Sequence, residues 1–244
     1  CTVGGLELDL RDQLANINIY EDIFTNSITG SISFVDTNNL TANASIVGQE
    51  KLKLVLVTPN ASDDTSRDMA INFSDQPLHV YQIKSSINVN DRTKTFELAF
   101  TTNEIMRNNR IRVCQSYNGE PAKEIIKKVI RDPELLNSKK EFYYEETTNL
   151  FQMIAPNMRP FDFINTVAKR CLSKEYDFAP TFLFYETVRG YFCRTIDSMM
   201  DRKNPRMVFK EVTPNDDIDN VGRNLTNILS YEIKNSTDTL LNTR

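Results

Sequence analysis

Along residues 1–100 apolar and polar side chains alternate with a period of two, the signature of strands that bury one face. Ile28, Gly30, Ile32 and Phe34 share one side of such a segment, with Thr29, Ser31 and Ser33 on the other. Leu52, Leu54 and Leu56 repeat the pattern between Lys51, Lys53 and Val55. The same reading predicts strands over Glu7 to Leu10, Ile17 to Tyr20, Leu78 to Lys84, Thr95 to Phe100 and Ile111 to Cys114. Turn-forming pairs punctuate them at Asn38-Asn39, Pro59-Asn60, Asn90-Asp91 and Asn108-Asn109. Seven short strands so spaced predict a small all-β barrel or sandwich over residues 1–114, decorated by a polar loop from Asn60 to Asp75.

From about residue 115 the period changes. Ala122, Ile125, Ile126, Val129 and Ile130 recur at helical spacing after Gly119-Glu120-Pro121, and Pro133 closes that helix. A second helix starts at Pro160, with Phe161, Ile164, Ala168 and Cys171 along one face, Val167 and Leu172 widening it, and Asn165, Lys169 and Arg170 on the exposed side. Thr181 to Glu186 and Tyr191 to Ile196 read as a hairpin around Thr187-Val188-Arg189-Gly190, glycine supplying the positive-φ turn position. Both runs are apolar on both faces and need cover on each side, so the two helices are expected against this hairpin in an α+β domain over residues 115–203. Residues 206–211 and 229–234 read as returning strands joined by a polar turn at Asp216-Asp217-Ile218-Asp219, and a further domain is expected beyond Arg244.

Composition narrows the function classes. Of 244 residues 40% are hydrophobic and 25% charged, enough for a large core without staples, and no apolar run approaches the roughly 18 residues of a membrane span. A net charge of −4 argues against a surface that grips phosphate backbones, so no specific nucleic-acid binding is expected; Arg107 to Arg112 reads as a solvated loop-to-strand segment. Cys1, Cys114, Cys171 and Cys193 are too dispersed for a zinc or disulfide pattern, and Cys114 and Cys171 are expected as reduced core thiols. Cys1 in the place of methionine points to a chain lacking upstream residues, in preference to a lipoprotein cysteine.

Candidate chemistry is sparse. His79 stands alone in Leu78-His79-Val80-Tyr81 and reads as a hydrogen-bonded structural residue. Glu145-Glu146 and Asp216-Asp217 are sequence neighbours whose side chains point apart, unlike the facing carboxyls of a glycosidase, and both pairs are expected to be solvated. Asp216, Asp217 and Asp219 lack the glycine and distal glutamate of a calcium loop. No phosphate-cradling glycine motif, nucleophile elbow or zinc-protease motif occurs, and Phe142-Tyr143-Tyr144 reads as a core strand. No catalytic, cofactor-binding or metal-ligating residue is therefore assigned, no cofactor is expected, and the chain is not expected to be an enzyme.

Three passages resemble the hub subunit of contractile-tailed phage baseplates, a family related to the amino-terminal part of type VI secretion spike proteins. The first is Ile19-Tyr20-Glu21-Asp22-Ile23, then Ile28 to Ile32, Asp36, Leu40 and Ile46-Val47-Gly48-Gln49-Glu50. Within it Gly30 permits close backbone approach inside a strand and Gly48 turns the chain. The second is Ser116-Tyr117-Asn118-Gly119, and the third runs from Arg159-Pro160-Phe161 through Phe182-Leu183-Phe184-Tyr185-Glu186 to Gly190-Tyr191-Phe192. The resemblance implies an α+β, mainly β fold: a small antiparallel β-barrel, an α+β domain with two helices packed on an aromatic hairpin, and the start of a second β-barrel, incomplete in residues 204–244. It also implies a homotrimeric symmetry adaptor in the tail baseplate of the virion, assembled in the host cytoplasm. Its partners would be a central spike protein, the tail tube or its initiator and other baseplate proteins. Two rivals stand beside it, a carbohydrate-binding or adhesin β-module, which requires aromatics exposed on a flat face, and an enzyme with an unrecognised site.

Overall fold

The structure, a computed structural model, describes residues 2–3, 6–7, 9–36, 50–57, 70–90, 93–201, 210–211 and 227–228. The Asp216 to Asp219 turn, the 229–234 strand, Gly48 and most of the Asn60 to Asp75 loop lie outside the described residues. The chain divides into two compact units, Cys1–Val55 with Ile71–Asp201, and Leu56–Ala70 with Arg202–Arg244.

The amino-terminal strands are β1 (Thr2–Val3), β2 (Leu6–Glu7), β3 (Leu14–Tyr20), β4 (Thr29–Asp36), β5 (Lys51–Leu52), β6 (Val55–Leu56), β7 (Ile71–Asn72), β8 (Leu78–Asn90) and β9 (Thr93–Thr101). Seven of them form one antiparallel sheet in the order β2-β1-β5-β8-β9-β4-β3, curled into a half-barrel with β2 and β3 at its edges. The alternation in β4 sets its inner face: Ile28, Ile32 and Phe34 are buried, with Phe34 stacked on Phe96 of β9 at 5.5 Å. Ser31 on the other side of β4 is buried as well, its hydroxyl accepting from the Asn18 side chain of β3 at 3.4 Å. Leu52 and Leu54 are buried as expected, but the predicted 52–56 strand breaks at residues 53–54 into two short pieces.

Gly30 is where the curl demands glycine. It lies in register between Ile19 of β3 and Phe100 of β9, and a Cβ there would stand 2.3 Å from both the Asn18 carbonyl oxygen and the Phe100 ring. Gly30→Ala is therefore expected to cost about 1–3 kcal/mol through overpacking. An unchanged denaturation midpoint would show that both the Phe100 ring and the Asn18 carbonyl give way at little cost.

After β9 the chain enters α1 (Asn103–Arg110), β10 (Ser116–Pro121), α2 (Ala122–Arg131), β11 (Phe142–Tyr144), β12 (Leu150–Ile154), α3 (Pro160–Ala168), β13 (Phe182–Thr187), β14 (Gly190–Thr195) and α4 (Ile196–Met200). The hairpin is present, with Phe182 opposite Thr195 and Thr187 opposite Gly190, and β11 adds to it in parallel along β14. Gly190 has φ +138°, and a Cβ there would meet the Glu141 carbonyl oxygen at 2.3 Å. The α2 and α3 stripes pack in one core with the hairpin: Ile125, Ile126, Val129 and Ile130 from one helix, Phe161, Phe163, Ile164 and Val167 from the other. Phe184 stacks on Tyr191 at 5.2 Å, and Phe161 sits 6.1 and 6.2 Å from those two rings. A second antiparallel ribbon, β10 with β12, contributes Tyr117 and Phe151 to that core.

Several expectations need correction. Residues 103–110 are helical, and of 111–114 only Val113 pairs, in a single bridge to Met158. Cys114 is exposed, whereas Cys171 and Cys193 are buried free thiols whose burial pushes both up, Cys171 to about 12. Leu172 is exposed and Asn165 turns toward the sheet. In the second unit the described elements are β15 (Lys210–Glu211) and β16 (Asn227–Ile228), paired in parallel. Among the described residues no helix is long and apolar enough to cross a membrane.

Candidate functional site

The half-barrel and the helix-covered hairpin belong to one unit and meet at a buried ion cluster. Glu186, near the end of β13, has a fully buried side chain. Its Oε2 accepts from the Ile28 backbone N–H at 3.1 Å and from the Thr102 hydroxyl at 2.9 Å, and its Oε1 accepts from Lys140. The Lys140 ammonium also donates to Glu104 Oε2 at 2.7 Å, and the Ser138 hydroxyl donates to Glu104 Oε1 at 2.6 Å. One lysine thus ties the first turn of α1 to β13, while Glu186 reaches across to the entrance of β4. The ammonium stands 5.7 Å over the buried Tyr191 ring. Burial pulls Lys140 down, but the two carboxylates reverse that and hold it above the ordinary lysine range. Burial pushes Glu186 up, with Lys140 opposing and Glu104 adding to the rise.

Polar side chains extend the same seam. Asn26 pairs with Asn165 of α3 through two bonds of 3.1 and 2.9 Å and donates to the Phe184 carbonyl at 2.6 Å. Glu21 accepts from the Val188 backbone N–H at the hairpin turn at 2.5 Å. The β3–β4 connection therefore caps polar groups along β13 that β14 does not pair.

The residues weighed from sequence do not converge on a catalytic constellation. His79 is half-buried, opposite Lys51 in the sheet and hydrogen-bonded to the Asn103 side chain; burial and then Lys51 hold its imidazole below the usual range. Glu145 was expected to be solvated and is buried. It accepts from the Thr195 N–H at 2.8 Å and the Ser173 hydroxyl at 2.6 Å. Burial works against its ionisation, but those bonds outweigh it and hold the carboxyl below the usual range. Glu146 points away to Lys123 at 3.0 Å in solvent, as its neighbour relation required. In β11, Tyr143 is exposed and stacks on Phe192 at 4.6 Å, so this strand is only half in the core. Arg107 holds the Pro133 and Leu135 carbonyls, while Arg110 and Arg112 are exposed.

A polar cleft of about 230 Å³ adjoins the cluster, lined by residues including Lys51, Asp75, His79, Asn103, Glu104 and Lys139. Its lining carries both lysines and carboxylates. Among the described residues no three His, Cys, Asp or Glu side chains are grouped to hold a metal ion. The half-barrel leaves its β3 edge open among the described strands, with Leu14 and Tyr20 exposed at the ends of that strand and Phe24 exposed just beyond it. Such an edge offers unpaired backbone groups to another chain.

No protein-family model and no curated protein sequence matches this chain. Several solved structures are similar to it in part, among them the three that follow. The 43 kDa tail protein of prophage MuSo2 from Shewanella oneidensis is 10% identical with a TM-score of 0.43, over 72% of this chain and 48% of that one. The E. coli c3393 protein is described as a type VI secretion component similar in structure to the T4 tail proteins gp27 and gp5. It is 12% identical with a TM-score of 0.49, over 82% and 50%. A chain of the lidded Francisella PdpA-VgrG complex is 9% identical with a TM-score of 0.40, over 83% and 28%. The present chain spans half or less of the length of each.

Proposed function

We propose that this chain is a structural subunit of a contractile phage tail, acting in the baseplate as a hub between tail tube and central spike. The observation that carries the reading is the order of parts within one unit: a curled sheet with an open β3 edge, then a proline-phenylalanine helix packed on an aromatic hairpin. Those parts coincide with the passages that resemble the hub family. In this reading residues 1–114 supply the first barrel, 115–203 the helix-covered module and 204–244 the lead into a second barrel. Three copies would close a ring through sheet edges, with spike, tube and other baseplate proteins as partners. No side chain is asked to make or break a bond.

Light scattering on the purified protein is expected to report a trimer. Replacing the exposed Leu14 and Tyr20 together by lysine is expected to weaken self-association by about tenfold or more, since edge lysines oppose strand addition, without moving the unfolding midpoint. A strict monomer at high concentration sinks the hub reading. The exposed Tyr143 ring, stacked on Phe192, supports the glycan-binding rival, and glycan binding by a monomer, abolished by Tyr143→Ala, would favour it.

A further inference from the structure

Two carboxyls and one ammonium lie together inside the protein: the Glu104, Lys140 and Glu186 side chains are 4%, 10% and 0% exposed. Were all three ionised, one positive charge would face two negative ones away from water, and a buried unpaired charge is costly. Among the described residues the other groups touching the cluster carry no charge: the Thr102 and Ser138 hydroxyls, the Ile28 N–H and the face of the Tyr191 ring. The titratable groups nearby line open clefts, Lys51, Asp75, His79 and Lys139 on the Glu104 side and Lys139, Glu141, Asp75 and Arg189 on the Lys140 side, where solvent screens them.

We propose that this cluster is a proton-holding latch: Glu186, which shares Lys140 with Glu104, retains a proton at neutral pH. Loss of that proton in alkali loosens the seam between the half-barrel and the hairpin. The hydrogen bonds provide a seat for the proton. Thr102 Oγ1 lies 2.9 Å from Glu186 Oε2, and a hydroxyl that donates to a carboxylate can turn and accept from a carboxylic acid. The Ile28 N–H still donates to that oxygen, and Oε1 still faces Lys140. This exchange moves no heavy atom.

Glu145 is the internal contrast. It too is buried, but Ser173 and Thr195 supply donors and no second carboxylate competes for them, so it remains ionised. The burial that raises Glu186 points to the same difference. The sign of the pH response follows. A carboxyl raised above its unfolded value contributes most below the ordinary carboxylate range, and that contribution is lost as pH rises through the folded value. The latch tightens in mild acid and slackens in alkali, the reverse of an ordinary salt-bridged carboxylate. This inference does not depend on the assembly reading.

The test uses the wild-type chain with carbon-13 glutamate side chains. Through-bond assignment is expected to find Glu186 protonated at neutral pH and Glu145 ionised. Hydrogen exchange at the Ile28 amide is expected to accelerate with pH more steeply than the about tenfold per unit of base catalysis, because opening itself becomes easier as the proton leaves. If Glu186 is ionised at neutral pH, or if Ile28 exchange follows base catalysis alone, the latch is overturned.

Discussion

Lys140→Met is expected to destabilise the chain by about 3–5 kcal/mol near neutral pH, the penalty for leaving a buried charge without its partner. Among the described residues the ammonium serves two carboxylates with no other cation in contact: without it Glu104 keeps Ser138, and Glu186 keeps Thr102 and the Ile28 N–H. Methionine fills much of the volume, so the loss is electrostatic more than steric. Denaturant unfolding across pH separates the two. Without Lys140 the buried Glu186 carboxyl loses the cation that opposes its rise and is neutral in acid, so the deficit relative to wild type shrinks toward acid. It grows as pH rises through the raised Glu186 value, where a buried carboxylate forms with no cation beside it. A deficit that is constant with pH would mean that lost packing, and not charge, accounts for it.

That cluster could not have been read along the chain, since its members are 36 and 46 residues from Lys140 and share no local motif. One signal was available: Glu186 ends a run, Phe182 to Tyr185, that is apolar on both faces, and a carboxyl in such a strand must find a donor. The α2 and α3 stripes were legible because their buried positions are aliphatic or aromatic and recur at helical spacing. Helix α1 was not. Its fully buried positions are Glu104 and Asn108, polar side chains that serve Lys140 and the Phe161 N–H from afar, so no apolar period marks it. The curl of the sheet was only half legible. Alternation in β4 gave the inner face and flagged Gly30, but strand order and the open β3 edge depend on pairings between distant segments, which alternation does not encode. Glu145 was misread for a related reason: adjacent carboxyls do point apart, but that places one of them inward when the strand end is covered.

Phe161→Ala is expected to cost about 3–5 kcal/mol, as for a large aromatic removed from a packed core. The ring is 2% exposed and lies against the stacked Phe184–Tyr191 pair at the first turn of α3, while its backbone N–H is held at 2.8 Å by Asn108 of α1. The substitution leaves that hydrogen bond in place, so helix α3 keeps its anchor and the loss reports the cavity between helix and hairpin. Ile164→Val, in the same stripe, removes one methyl group and is expected to cost only about 0.5–1.5 kcal/mol. A loss below about 1 kcal/mol for Phe161→Ala would show that the hairpin collapses onto the helix and that the aromatic cluster is not close-packed. The consequence reaches the ion cluster, because Tyr191 touches Phe161 on one side and lies beneath Lys140 on the other, and Glu186 faces it across the hairpin. Loosening these rings admits water to the carboxyls and relieves the burial that raises Glu186. Phe161→Ala is therefore expected to flatten the alkaline loss of stability that the intact seam displays, coupling an apolar contact to a proton.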